Sequence, residues 1–191
     1  MKISKNYSAR DWKALSFTDE ADWQTAIDMF ADRIETRFLE FIRLIERKEH
    51  SGFVVMALDC LLIETLEQFH NGVPKTPARQ SENYFVNFLT RLSFGSFFNQ
   101  TLAERFYRQI RCGILHQAEI TGDSRIFIGK SVPLVKPSEH NGLIINRKMF
   151  HTQLVKEFND YVSRLRNSDP PDQKLRANFK KKMDCISNAC R

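Results

Sequence analysis

The residue types best suited to chemistry lie in one short stretch, FYRQIRCGILHQAEITG, which spans residues 106–122. Arg108, Arg111, Cys112, His116 and Glu119 all fall within about three helical turns of it. An imidazole can accept or donate a proton near neutral pH, and a guanidinium keeps its charge and offers paired donors to phosphate oxygens. The stretch therefore suits phosphate binding combined with proton transfer. The alternative is an ordinary solvated helix face.

The spacing of Arg111 and His116 raises a geometric problem. Five residues at about 100° each put the two side chains roughly 140° apart on an undistorted helix. Either Gly113 lets the helix bend or end between them, or two copies of the helix meet across a two-fold axis and share a cleft. Glu119 follows His116 by three residues and shares its face, so it either orients the imidazole or is a plain helix-end charge.

Each of the other candidates has a chemical and a structural interpretation. Arg111 is predicted to bind phosphate, and the alternative is a structural salt bridge. His116 is predicted to transfer protons, and the alternative is a histidine with satisfied hydrogen bonds at an interface. Arg108 is a phosphate contact or a surface charge, and Tyr107 stacks on a base or packs in a core. Cys112 is expected to support the site by packing, because no partner set for a thiol nucleophile accompanies it.

Two acidic residues interrupt the apolar stretch FVVMALDCLLIETL. Asp59 and Glu64 are five residues apart and so point in different directions on a helix. Structural polar contacts are expected for both, with one of them facing the cleft as the alternative. His140 and His151 belong to no cluster and are assigned no function.

Helical periodicity dominates the chain and predicts a mainly α fold. An apolar stripe runs from Trp23 to Ile45 behind Thr18 as a candidate N-cap, and a second helix is predicted from Phe53 to about His70. A polar loop follows over 71–82, then a short helix and a turn. The helix with the candidate residues comes next, with Asn99 or Thr101 able to start it and an end near residues 121–122.

The pattern changes before the last apolar stripe. β-Branched residues and turn signals at 129–130 and 140–142 predict a small β-hairpin within about 125–146. Helical spacing then returns, and Pro170-Pro171 ends it. The chain is thus predicted to form a helical domain over residues 1–168 and a basic C-terminal tail over 169–191, which is either a last helix or mobile.

Residue counts exclude several classes of protein. Seven Gly and six Pro argue against an all-β design. The longest apolar stretch is too short and too acidic to span a bilayer, and the first residues lack the apolar segment of a signal peptide, so a cytoplasmic protein is expected. The four cysteines show no C-x-x-C or zinc spacing, which predicts free thiols and no metal site, with pairing of Cys185 and Cys190 as an alternative.

The net charge of +6 is unevenly distributed. Residues 145–191 hold eleven Lys or Arg and five Asp or Glu, so this segment accounts for the whole excess. A local basic region favours a polyanionic partner such as nucleic acid. The alternative is a tail that only keeps the protein soluble.

The string FYRQIRCGILHQ resembles the signature helix of the HEPN superfamily (higher eukaryotes and prokaryotes nucleotide-binding), an all-α bundle defined by an R-x4-6-H motif on its last core helix. The surroundings resemble a bacterial, often plasmid-encoded, subfamily in which an RCGLLHQ-like string follows an aromatic pair and a short β-segment precedes the final helix. The resemblance covers about residues 20–168. Cys112 replaces the polar residue that many family ribonucleases carry after the Arg, and Ala118 replaces a Tyr that is modified in another group.

This resemblance implies metal-independent RNA cleavage at a homodimer interface, without a cofactor, giving 2′,3′-cyclic phosphate ends. Arg111 and His116 would be catalytic, Arg108 and Tyr107 would contact substrate, and Glu119 and Cys112 would support them. A toxin or an anti-phage or stress effector, neutralised by an antitoxin protein, is the expected role. The alternatives are a non-catalytic module for RNA or nucleotide binding or dimerisation and, last, a regulatory DNA binder using the basic tail.

Overall fold

A computed structural model describes residues 2–91, 93–129, 132–167 and 172–189. The protein is mainly helical with one small sheet, which confirms the predicted class. Across these ranges every helix is too short or too polar to cross a lipid bilayer. The helices are α1 (Ala9–Lys13), α2 (Glu20–Ile34), α3 (Glu40–Ile45), α4 (Gly52–Asn71), α5 (Ser81–Leu89), α6 (Gln100–Arg105), α7 (Cys112–Gln117), α8 (Arg147–Arg166) and α9 (Gln173–Ala189).

The chain forms two compact units. The first consists of Met1–Leu44, Gln68–Lys75 and Asn159–Arg191, and the second of Ile45–Glu67 and Thr76–Phe158. All the candidate residues between 106 and 122 belong to the second unit.

Aromatic rings fill the core of the first unit. Phe30 is fully buried and packs against Phe69, Tyr161 and Phe179, with ring centroids 4.5, 5.8 and 5.6 Å away. Helix α2 begins one residue later than predicted, because the carboxylate of Asp19, rather than the Thr18 hydroxyl, accepts the hydrogen bond from the backbone of the first turn.

The basic C-terminal segment is a packed helix where the structure describes it. Phe179 and Met183 of α9 are fully buried in the first unit, so the mobile alternative does not hold for Gln173–Ala189. Several cations of residues 145–191 have acidic partners in the same unit: Arg164 with Asp172, Arg166 with Asp28, Arg176 with Glu20, and Lys180 with Asp184. The predicted break at Pro170-Pro171 lies outside the described residues.

The second unit is built around a second aromatic cluster. The rings of Phe106 and Phe150 stack with centroids 5.0 Å apart and planes inclined by 9°, and Phe94 and Phe98 pack against Phe150. These four residues are all buried. The cluster holds the start of the candidate helix against α8.

Cys60 and Cys112 in this unit are free thiols, and Cys190 lies outside the described residues.

The predicted hairpin supplies two of the three strands of a mixed sheet. Strands β1 (Arg125–Phe127), β2 (Val135–Pro137) and β3 (Leu143–Asn146) are ordered β1-β3-β2. β2 and β3 are antiparallel around a turn where Asn141 has φ 63°, whereas β1 pairs parallel to β3. The Asn146 amide fixes the returning loop by donating to the carbonyls of Gly129 and Val132. Lys130, in the predicted first turn, is outside the described residues.

Candidate active site

The helix that carries the candidate residues contains a π-helical segment. Phe106–Arg111 joins α6 to α7, and the Cys112 N–H donates to the Tyr107 carbonyl, five residues earlier. The sequence predicted a uniform α-helix here, so this is a correction. An i→i+5 turn holds more residues than an α turn and changes the direction in which the following side chains leave the helix, and such segments are frequent at functional sites.

Arg111 and His116 meet within one chain. The Arg111 Nη1–H donates to His116 Nε2 at 3.2 Å. Helix α7 runs straight through Gly113, so the contact needs neither a bend there nor a second copy. The long guanidinium side chain, leaving the end of the π segment, spans the angular gap. Because a guanidinium only donates, this contact is a hydrogen bond when Nε2 is the acceptor, which is the tautomer with the proton on Nδ1.

The Arg111 guanidinium is held on several sides. Its Nη2–H donates to Glu64 Oε2 at 3.0 Å, and the rings of Tyr107 and Phe85 lie 5.4 and 5.7 Å from its carbon. The side chain is only 14% exposed. Burial disfavours the charge, but the contact with Glu64 outweighs it and raises the pKa of Arg111 above its ordinary value. Its Nε is buried without a hydrogen-bond partner among the described residues.

Glu64 connects three elements at this point. It lies on α4, it binds Arg111 at the end of the π segment, and it accepts a hydrogen bond of 3.3 Å from the hydroxyl of Ser81, the first residue of α5. The sequence predicted structural polar contacts for both acids and left open that one of them faces the cleft; Glu64 makes its polar contacts with Arg111 and Ser81. The signal that could have found it is a carboxylate on an otherwise apolar helix.

Tyr107 and Cys112 pack beside Arg111. Burial raises the pKa of Tyr107, so the phenol stays neutral near neutral pH. The Tyr107 ring also packs on Phe85, with centroids 5.4 Å apart. Both side chains therefore line the guanidinium, and stacking of Tyr107 on a base stays a prediction.

The helix ends just past His116, earlier than predicted. α7 stops at Gln117, Ala118 takes the left-handed conformation with φ 52°, and the Glu119 N–H bonds to the Gly113 carbonyl. A Cβ added at Gly113 would lie 2.4 Å from the Glu119 carbonyl oxygen. Gly113 is thus required for the chain to fold back tightly, and this tight end leaves His116 exposed.

Glu119 is not placed to orient the imidazole in this structure. Its carboxylate accepts from the neighbouring Ile120 N–H at 2.8 Å, and no hydrogen bond joins it to His116, although both lie in the described part of the chain. The residue that positions His116 is Arg111. The reason is the early helix end, which removes Glu119 from the helical face that the spacing assumed.

Arg108 lies on the exposed side of the π segment. Its Nε–H donates to Glu82 Oε1 at 2.8 Å, and the side chain is 65% exposed. It also lines an open cavity of about 190 Å³ together with Thr101, Glu104, Arg105, Gln109 and Asn141. A surface charge in such a place can contact a phosphate, so both interpretations of Arg108 remain.

A buried polar pair that the sequence did not single out lies further back in the second unit. His151 Nδ1 and Asp59 Oδ1 are 2.7 Å apart, Asp59 is fully buried, and its Oδ2 has no partner among the described residues. Burial raises the pKa of Asp59, while His151 opposes the shift. One turn before His151, the Arg147 guanidinium bonds to Ser51 and to the Glu46 carbonyl. These contacts tie α8 to α4 and are structural, as expected for Asp59.

No family model, curated protein or solved structure matches this chain. The case for a function therefore rests on the chemistry and the geometry of its own residues.

The close approach at Gly113 predicts a clear cost for one methyl group. Gly113→Ala should lower the free energy of unfolding by about 1–3 kcal/mol, because the Cβ meets a backbone carbonyl that cannot move without opening the turn. The matched control is Gly52→Ala, whose Cβ would find its nearest neighbour at 3.8 Å. In urea denaturation this control should be neutral or stabilising by up to about 1 kcal/mol. Equal effects of the two substitutions would contradict the close approach.

The ion pair of Glu64 and Arg111 should show a measurable coupling. In a double-mutant cycle with Glu64→Gln and Arg111→Gln, we expect a coupling of about 1.5–3 kcal/mol in the free energy of unfolding, as for a hydrogen bond between charged, mostly buried groups. The exposed pair Glu82–Arg108, treated the same way, should give about 0.2–1 kcal/mol. A coupling for Glu64–Arg111 no larger than that of the exposed pair would refute the central role given to it.

Proposed function

We propose that this protein is a HEPN-type endoribonuclease that cleaves RNA without a metal ion, with Arg111 and His116 as its catalytic residues. The observation that carries the proposal is the 3.2 Å contact between the Arg111 guanidinium and the exposed His116 imidazole. A fixed cation beside a proton acceptor is what phosphodiester cleavage requires. The helical class and the small sheet directly before α8 agree with the resemblance of the FYRQIRCGILHQ string.

The reaction follows from these two groups. A ribose 2′-hydroxyl attacks the adjacent phosphorus, the bond to the 5′-oxygen breaks, and a 2′,3′-cyclic phosphate and a 5′-hydroxyl result. A base takes the proton of the 2′-hydroxyl, an acid gives a proton to the leaving oxygen, and a cation stabilises the charge on the phosphorane. DNA lacks the nucleophile and is not a substrate.

Substrate binding activates His116 in this scheme. Before RNA binds, the Nε2 lone pair accepts from Arg111. A phosphate oxygen carries a full charge and is a stronger acceptor for guanidinium than a neutral imidazole. When Arg111 donates to the phosphate instead, His116 Nε2 is released to take the 2′-hydroxyl proton. Glu64 keeps the guanidinium in place during this exchange, so little reorganisation accompanies it.

One chain supplies one imidazole at this place, whereas the reaction uses a base and an acid. The proposal therefore includes a homodimer in which the second His116 comes from a second copy. Exposed apolar residues beside the cluster support such an interface: Val54 and Leu61 lie on α4, seven residues apart and thus on one face, and Leu115 precedes His116. Their pairing across a two-fold axis would bring the two copies of the site together.

A second candidate function is a non-catalytic module that binds RNA or nucleotides. The contacts of Arg111 favour this alternative. Its guanidinium is mostly buried and already bonded to Glu64 and His116, so fewer of its donors are free for a phosphate. DNA binding by the C-terminal segment has less support, because several of its cations have acidic partners in the first unit.

The biological role that goes with cleavage is a toxin or an anti-phage or stress effector in the cytoplasm, held in check by a partner protein.

Purified protein in the presence of EDTA should cleave a short RNA and spare its 2′-deoxy counterpart, leaving 2′,3′-cyclic phosphate ends detectable by mass spectrometry. His116→Ala should lower the cleavage rate by about 10²–10⁴-fold, because the proton acceptor is lost. The matched control is His50→Asn, which removes an exposed imidazole outside the site and suits a backbone with φ 59°, and it should leave the rate unchanged. An intact RNA after incubation with wild-type dimer, or cleavage that EDTA abolishes, would refute the enzyme proposal.

Mixed dimers separate a shared site from two independent ones. Dimers of one wild-type and one His116→Ala subunit can be purified through two different affinity tags. If the base and the acid come from different subunits, the mixed dimer should fall far below half of the wild-type rate, since every site then lacks one of its two imidazoles. Half of the wild-type rate would show that each subunit works alone and would contradict the shared site.

A further inference from the structure

The outward face of the sheet combines cations with an exposed aromatic ring. Ile144 of the central strand is in register with Arg125 of β1 on one side and with Lys136 of β2 on the other. Side chains directly opposite each other on neighbouring strands point to the same face, so these three form one row. Two residues further along β1, Phe127 points to the same face and is 42% exposed.

The opposite face of the sheet is part of the core. Ile126, Ile145 and Val135 form the alternate row, and Ile145 is fully buried. Ile126 approaches the start of α4 at Gly52. Because one face is committed to packing, the outward row and Phe127 are available to a ligand. Ile128, the next residue after Phe127, is 63% exposed, and an apolar set of this kind marks a binding surface.

Two open clefts are lined by residues that precede and follow Phe127 along the chain. One, of about 430 Å³, is polar and is lined by Arg125, Lys136 and His140 among others. The other, of about 360 Å³, is mostly apolar and is lined by Ile128 and Met149 with Lys148 at its edge. The chain order from Arg125 through Phe127 to Ile128 therefore leads from a polar cleft, over an exposed aromatic ring, into an apolar cleft.

The cations of this face are available to an anion. Among the described residues neither Lys136 nor Lys148 forms an ion pair, and Arg125 makes only a contact of 3.4 Å with Asp123. Asp123 and Glu139 also line the polar cleft, so its charge is mixed and the free cations lie along the row and beyond Phe127. This arrangement favours a ligand whose charges are separated by flat apolar groups.

Hydrogen bonds connect the sheet to the π segment, which ends at Arg111. The Gln109 side chain donates to the Asn141 carbonyl at 3.1 Å and accepts from Ser124, so it ties the π segment to the turns before β3 and β1. The small cavity lined by Arg105 and Arg108 also reaches Asn141, next to His140 of the polar cleft. The sheet face and the Arg111 cluster therefore keep a fixed separation within the second unit.

We propose that the outward face of the sheet binds a single-stranded segment of RNA. Arg125 and Lys136 contact its phosphates, one base stacks on Phe127, and the following base enters the apolar cleft of Ile128 and Met149, where Lys148 meets the next phosphate. A single strand alternates anionic phosphates with flat bases, and every base can stack on an aromatic ring, so this mode selects single strands with little sequence preference. The inference rests on the proposed function, because it assigns to this face the docking of the strand that is cleaved at Arg111 and His116.

The test uses the full chain with His116→Ala, so that the RNA stays intact. A fluorescein-labelled oligouridylate of about twelve nucleotides covers one binding face, and its dissociation constant is measured by fluorescence anisotropy. Adding Phe127→Ala should weaken binding by about 5- to 150-fold. The matched control, Phe97→Ala, removes another partly exposed ring of the same unit and should leave the dissociation constant unchanged.

Lys136→Gln is the second arm and keeps the proposal testable if Phe127→Ala fails to fold, since Lys136 is exposed. It should reduce the slope of log affinity against log salt concentration by about 0.7, the value for one lost phosphate contact on a single strand. Lys181→Gln on α9 is its control and should leave the slope as it is. Affinity and slope that stay at the control values in both arms would overturn the inference.

Two further readouts separate the possible failures. A surface for a second copy is indicated instead if light scattering shows that Phe127→Ala dissociates a dimer while affinity per subunit is unchanged. With His116 intact, Phe127→Ala should slow the cleavage of long RNA. It should leave unchanged the cleavage rate of a diribonucleotide, which is too short to reach the sheet. Cleavage by the wild type combined with unaltered binding by Phe127→Ala would refute the sheet proposal alone, and binding that depends on Phe127 without any cleavage would refute the enzyme proposal alone.

Discussion

The contact on which the candidate site depends is the ion pair of Arg111 with Glu64. A guanidinium that is 14% exposed has lost most of its water, and a carboxylate on a neighbouring helix replaces part of that hydration. The rings of Phe85 and Tyr107 occupy two more sides, so the cation has few directions left. One of them leads to His116. The position of the imidazole is therefore a consequence of how the core accommodates a charge, and only indirectly of where the sequence places the histidine.

The π segment reconciles two demands on one helix. Phe106 at its start is fixed by the stack with Phe150, and Arg111 at its end must face Glu64. A regular α-helix sets the angle between two such positions by their spacing alone. The wider turn changes that angle while the backbone stays hydrogen bonded, since the Cys112 N–H still finds the Tyr107 carbonyl. The irregularity thus lets one face of the helix serve the core and the following residues serve the site.

Local patterns in the sequence predicted most of the helices, Asn99 as one of two candidate caps and the β-segment, because periodicity and capping act over a few residues. They did not predict Glu64 as the partner of Arg111, or Asp59 as that of His151, because residues 47 and 92 positions apart leave no local signature. The parallel pairing of β1 with β3 was not predicted for the same reason, since β3 follows a turn and another strand. Orientation of His116 by Glu119, one of the two interpretations of that residue, assumed a helix that continued beyond Gln117.

The distribution of formal charge along the sequence indicated a different surface for a nucleic acid than the outward face of the sheet that we propose. Residues 145–191 carry the entire formal excess, yet Arg164, Arg166 and Arg176 are bound to carboxylates within the first unit. A paired cation attracts a polyanion weakly, because its field is already compensated at short range. Residues 53–144 hold nearly equal numbers of acids and bases, but Lys136 of this segment has no acidic partner among the described residues. In the proposed mode of RNA binding, such unpaired cations and the aromatic surface beside them decide where the strand docks, and both occur on the sheet of the second unit.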